Sequence, residues 1–339
     1  MTAPFDETAI MPDATAIATA KAAIKDYNDE MPAAQRAVYV NYITKLLPFA
    51  LGVAFLVYLF LYVMVDLHPK VRGFLLGATG LGGWFLGRKL WEHVNGPVTG
   101  LRQHTRDRLI PQLFGFVENV GYTNGRAPRF SDRMPAESVM QYTRIEYDDA
   151  VRGRYEGTEF ELCEMRFFFK AGKSEGKTFE GIVFQFTLPV PFPGEMVILR
   201  RRGKWDKILW GRPNDRHLTE IASGDRWTDD NYEVKTTNRE AGVPLARANL
   251  PKLLRWLETT WNTNAPKIVL KRNDGFLFLP STKNFFELPG NGVVLDYAAH
   301  AEPMVRELVT LIATASLVAK AFVPPAAEPP TAPTQAPEA

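Results

Sequence analysis

Residues 77 to 83, GATGLGG, carry the glycine spacing most suited to cradling a phosphate. Glycines this close let backbone N–H groups approach a dinucleotide's pyrophosphate at a strand-turn-helix, because no Cβ stands in the way. A nicotinamide site needs more: an acid about twenty residues on, ending a second buried strand, and, for proton transfer, a tyrosine whose pKa is lowered by a lysine four residues later. Asp107 has the distance but lies in LRQHTRDRLIPQ, which is no buried strand, and no tyrosine has lysine at i+4. The same glycines form GxxxG pairs, Gly73 with Gly77 and Gly83 with Gly87, a pattern that lets membrane helices approach each other closely. Helix packing through Gly73, Gly77, Gly80, Gly83 and Gly87 is the reading taken, and no cofactor is expected.

Other residues capable of chemistry are scattered. The only cysteine, Cys163, has Met165, Phe167 and Phe169 on its strand face and Glu161 nearby, an environment for a buried structural thiol and not a thiolate nucleophile. Histidines 68, 93, 104, 217 and 300 lack HxxxH or HExxH spacing, so no zinc site is expected. Glu146, Asp148 and Asp149 could offer oxygens to a cation, but they lack the glycine-spaced loop of a calcium site and read as solvated strand-edge acids. The run RRRGKWDK reads first as a solvated turn. Contact with lipid headgroups through Arg200, Arg201, Arg202, Lys204 and Trp205 is the alternative, and nucleic acid the weakest reading, in keeping with a net charge of only +2.

The elements that must position these residues fall into two kinds. Residues 46 to 65, LLPFALGVAFLVYLFLYVMV, are uncharged and mostly apolar; twenty residues at about 1.5 Å each cover the roughly 30 Å of a bilayer core. After the charged stretch around Asp66, His68, Lys70 and Arg72, a second run from Gly73 to Gly87 is shorter, extended by Trp84, Trp91, Arg88 and Lys89 at an interface. The expected architecture is thus a transmembrane hairpin over 46–90, with spans at 46–66 and 73–90. Seven basic residues on the outer flanks (Arg36, Lys45, Arg88, Lys89, Arg102, Arg106, Arg108), against Lys70 and Arg72 between the spans, place both termini in the cytoplasm by the positive-inside rule. The N-terminal MTAPFDETAIMPD has no basic n-region, so no cleavable signal peptide is expected.

Residues 1–45 read as a partly helical cytoplasmic segment, with a solvated alanine-rich helix at 14–30. Asn95, Gly96, Pro97 and Gly100 are expected to break the chain before an amphipathic helix at 101–120. The pattern then turns to strands: 158–170, EGIVFQFTL, MVIL (196–199), and KIVLKRNDGFLFL, read as two strands around Asn273, Asp274 and Gly275. Leu250, Leu253, Leu254, Leu257 and Trp261 mark an amphipathic helix, and a last helix at about 303–322 has an uncharged core too short to span a membrane. Residues 91–323 are therefore expected to form a cytoplasmic α+β domain on a mainly antiparallel sheet, followed by a disordered Pro/Ala-rich tail at 324–339.

The order of a two-span hairpin, GRYEGTEFELCEMRFFFK, KSEGK, TFEGIVFQFTL, MVILRR, the helix PLARANLPKLLRWLETTW and KIVLKRNDGFLFLPSTKNFFEL resembles the bacterial membrane-anchored family catalogued as domain of unknown function 3137, over roughly residues 45 to 320. That resemblance implies an integral membrane protein with a cytoplasmic α+β domain, and implies no reaction. The expected function is a two-pass inner-membrane protein, in contact with the lipid bilayer, whose cytoplasmic domain binds a protein partner or ligand, with self-association left open and nucleic acid not expected. Two alternatives remain: an enzyme using acids of the central strands with Arg144, Arg152, Arg154 or Arg166, and a peripheral anionic-lipid sensor acting through Arg200–Lys207.

Overall fold

The computed structural model describes residues 14–63, 68–172, 174–201, 216–261, 266–287 and 294–322. The expected tail at 324–339 and the residues Arg202, Lys204 and Trp205 lie outside the described residues. The chain divides into two compact units: a helical one containing Pro12–Leu113 and Phe286–Met304, and a sheet-bearing one containing Phe114–Phe285 and the chain from Val305 on.

Two long helices make the helical unit. Helix α1, Ala14–Tyr62, is 49 residues long and, among the described residues, is the one helix long and apolar enough to cross a membrane. A π-helical turn at Tyr42–Leu46 precedes Pro48. A proline ring presses on the carbonyl four residues back, here that of Thr44, and the wider turn gives it room. Helix α2, Pro69–Leu113, runs antiparallel to α1: Lys45 meets His93 at 2.9 Å, and Arg108 faces Asp26 at 3.9 Å.

The break expected at Asn95, Gly96, Pro97 and Gly100 does not occur; α2 passes through all four and through Pro111, so the expected boundary at 90/91 falls inside one helix. Each internal proline disfavours a helix by about 3 kcal/mol. Against that, Val94, Val98, Leu109, Ile110 and Leu113 are buried at helical spacing, each contributing about 1.5–3 kcal/mol. Asn95 and Thr99 add side-chain bonds: the Asn95 amide donates to Trp91 O, and the Thr99 hydroxyl to Asn95 O and Gly96 O. Further on, Asn28 and Leu295 exchange two hydrogen bonds of 2.7 and 2.8 Å, which fasten the returning segment to α1.

The sheet-bearing unit is α+β with an antiparallel sheet, as expected. Its strands are β1 (Glu118–Asn124), β2 (Arg144–Tyr155), β3 (Thr158–Ala171), β4 (Ser174–Arg200), β5 (Thr219–Ile221), β6 (Tyr232–Thr236) and β7 (Lys267–Pro280). They lie in the order β1-β2-β3-β4-β6-β5, with β7 on the other edge of β4. The 27-residue β4 takes in both EGIVFQFTL and MVIL, expected as separate strands. Its first part pairs with β3 and its last residues with β6, while β7 follows it from Gly181 to Ile198.

Strand β7 likewise runs straight through Asn273, Asp274 and Gly275, where a hairpin turn was expected. Its register on β4 shifts around Arg272, which has a positive φ of 55°, so the turn-like residues form an irregularity in one strand. Gly275 is required there because a Cβ would lie 2.2 Å from the Phe186 ring on β4. Cys163, Met165, Phe167, Val183, Val197, Phe276 and Phe278 form a buried core on one face. Among the described residues its α-helices are α3 (Arg226–Asn231), α4 (Arg239–Arg247), α5 (Leu250–Trp261) and, from Val305 on, α6 (Glu302–Ala321). The leucines 250, 253, 254 and 257 are buried as their spacing requires, and Trp261 of α5 donates to the Thr314 hydroxyl of α6.

Candidate functional site

Two concavities in the sheet-bearing unit bring reactive or adhesive side chains together. The first begins with a register shift. Tyr147 pairs with Met165 and Ala150 with Cys163, so Asp148 and Asp149 together stand opposite the single residue Glu164. Such a bulge redirects side chains that would otherwise alternate across the sheet. Asp148, Asp149 and Glu164 thereby bring carboxylate oxygens within 4.8 Å of one another.

Their surroundings differ. Asp149 is fully buried, against its expected place at a solvated strand edge; it accepts from the Tyr122 hydroxyl and, at 2.9 Å, from the Asn124 amide. Glu164 accepts from the Phe285 backbone N–H at 2.5 Å. Burial, reinforced by the charges of Asp149 and Asp148, pushes its carboxyl up to about 8, so it is protonated at neutral pH. At the rim Arg166 bonds Glu180 at 3.1 Å and faces Asp148 at 3.5 Å and Glu146 at 3.8 Å. Lys177 and Arg166 hold the Glu180 carboxyl below its ordinary range.

Three oxygens so placed are the group that could hold a hard cation, and with Glu164 protonated they can equally share a proton. The space decides what else fits. The pocket bounded by Glu146, Asp148, Glu164, Arg166, Glu180 and Lys283 leaves about 30 Å³, enough for one or two waters and no organic substrate.

The second concavity is a groove of about 650 Å³ lined by α5 and α6. Leu253, Trp256, Leu317 and Ala321 supply its apolar lining, and Lys252, Arg255 and Lys320 its charge. Arg255 bonds both oxygens of Asp225 at 2.8 Å and lies 4.8 Å from the centre of the Trp227 ring. Asp225 also caps α3 by accepting from Thr228 N–H, and Arg255 is the main cause of its lowered pKa. Lys320 bonds Glu156 at 2.5 Å. Among the described residues Lys252 forms no ion pair.

The residues singled out from sequence are distributed as follows. A Cβ on Gly83 would meet Val53 at 3.3 Å, and one on Gly87 would meet Phe49 at 3.4 Å, so these two glycines line the contact between α1 and α2. Gly73, Gly77 and Gly80 have nothing within 4 Å of that position and take no part in this contact. Arg200 is paired with Glu258 and Arg201 with Glu220, both at 2.7 Å, which leaves neither guanidinium unengaged for a headgroup. Of the four arginines considered for catalysis, Arg166 reaches the acids of the bulge. Arg144 is held by Glu175 over the Phe168 ring, Arg154 by Glu159, and Arg152 lies across Gly121. Cys163 is buried, and that burial raises its thiol well above the ordinary value, as a structural cysteine requires.

Glu164 and the groove were not singled out from sequence. The signal for the first is the tandem Asp148–Asp149, two adjacent acids where an alternating strand has room for one outward position. For the second it is Trp256 beside the buried leucine stripe of α5.

No family model matches the chain, and no curated protein matches it. Among solved structures it is similar to the crystal structure of the mycobacterial trehalose monomycolate transport factor A, TtfA. That match has 16% identity over 63% of this chain and 94% of that one, with a TM-score of 0.28. A score of this size does not establish a common fold.

Proposed function

We propose that the chain is a two-pass inner-membrane protein with both termini in the cytoplasm, whose sheet-bearing unit binds a partner or ligand at the membrane surface. The observation that carries this reading is the outward apolar surface of both long helices. Phe55 is 62% exposed on α1, and Phe74, Leu81 and Trp84 are 74%, 74% and 66% exposed on α2. In water such a continuous surface is a liability; in hydrocarbon it needs no protein cover, and each helix satisfies its own backbone.

The second span is supported by the antiparallel course of α2 along α1 and by the closeness of Gly83 and Gly87 to Val53 and Phe49. Basic residues concentrated on the outer flanks support the orientation. Binding is preferred to catalysis on size, because the carboxylate pocket leaves about 30 Å³ while the apolar groove offers about 650 Å³. The resemblance to the membrane-anchored family accords with this reading. Washing isolated membranes with alkaline carbonate tests the anchor: the intact chain is expected to stay with the lipid, and its release into the supernatant would overturn the proposal.

A further inference from the structure

We infer that the groove between α5 and α6 binds a long-chain fatty acid, its alkyl chain against Leu253, Trp256, Leu317 and Ala321 and its carboxylate at Lys252. The inference rests on the binding reading above and names its ligand.

Three features select this occupant. Leu253, Trp256, Leu317 and Ala321 give the groove its apolar surface, and among the described residues that line it there is no acid. Its volume of about 650 Å³ falls in the range of roughly 300–1,000 Å³ typical of small-molecule sites. The charges then fix the headgroup. Arg255 and Lys320 are balanced by Asp225 and Glu156, which leaves the Lys252 ammonium as the uncompensated cation of the lining among the described residues. One net positive charge beside an apolar trough matches an amphiphile with one negative charge and one chain. Lys252 lies in the first turn of α5, where the helix dipole also favours an anion. Its own flexible stem lets the ammonium follow the headgroup while the methylenes stay on apolar surface.

The test is photolabelling of the full chain in neutral detergent with a diazirine-bearing palmitate, and separately with the matching uncharged palmityl alcohol, followed by peptide mapping. Palmitate adducts are expected on 249–259 and 317–321, with the alcohol labelling these segments about fivefold less, the effect of losing one partly exposed ion pair. Lys252→Glu should lose the palmitate adducts, and Lys252→Arg should keep them. Equal labelling by acid and alcohol, adducts confined to 46–90, or undiminished labelling of Lys252→Glu would overturn the inference. So would crosslinking of Lys252 to residues 324–339 or to a second copy that saturating palmitate fails to displace. If the groove goes unlabelled while the chain resists carbonate, the fatty-acid assignment falls and the membrane reading stands.

Discussion

The two units spend the same residue types in opposite ways. Phe55 and Phe74 in the helical unit point outward, whereas Phe184, Phe186, Phe276 and Phe278 in the sheet-bearing unit are fully buried. The difference follows from where the backbone bonds go. A helix closes its hydrogen bonds within itself, so its side chains can face lipid with no other protein segment present. Strand β4 must find partners as distant as β7, so every side chain around it depends on register. The helical unit thus carries large apolar side chains on its surface, whereas the sheet-bearing unit has a core of its own.

Matched substitutions can break or sharpen this contrast. The largest effect is expected from Phe278→Ala, which removes a ring from the buried core and should cost about 3–5 kcal/mol. Phe55→Ala, at an outward position, should stay within about 0.5 kcal/mol. Thermal melts of both variants in one detergent compare them directly; a large loss at Phe55 would mean that α1 has a protein core on that side.

Glu164→Gln comes next. An acid kept protonated in the folded chain and ionised in the unfolded one favours unfolding as pH rises from its ordinary value of 4.5 to about 8, and adds no further slope above that. The wild-type chain should lose stability across that window, by an amount on the order of a few kcal/mol, and Glu164→Gln should flatten the profile. Its amide oxygen can still accept from Phe285 N–H. A variant that keeps the wild-type slope would show that Glu164 is not the titrating group.

Smaller effects are expected where glycines allow close approach. Gly275→Ala sets a methyl against the buried Phe186 ring and should cost about 1–3 kcal/mol. Within the helical unit Gly83→Leu should weaken the pairing of α1 and α2, and Gly77→Leu, with open space at its Cβ, should not. Denaturation in mixed micelles separates the two; equal loss at both positions would place Gly77 against a second copy of the chain.

Legibility in the sequence followed the same division. The apolar part of the long helix could be read because its length and composition alone mark it, although the helix begins as early as Ala14, and α5 from its leucines because a helix face repeats every turn. Strands ending in plain polar turns, such as β3, were also legible. Continuity was not. Pro97 reads locally as a break but is outweighed by Val94 and Val98 beside it, and Asn273-Asp274-Gly275 reads as a turn but is held extended by β4. The carboxylate cluster was hidden for a related reason, since Glu164 meets Asp148 and Asp149 only through a one-residue shift between strands.

The central proposal is that α1 and α2 cross the membrane as a pair, with both termini in the cytoplasm. Because Cys163 is buried, a single introduced cysteine gives a clean signal. Spheroplasts carrying Lys70→Cys or Arg36→Cys, both exposed positions, can be treated with a membrane-impermeant maleimide before and after lysis. The account predicts labelling of Lys70→Cys in intact spheroplasts and of Arg36→Cys only after lysis. Lys70→Cys that reacts only after lysis, or Arg36→Cys that reacts before it, would contradict the account.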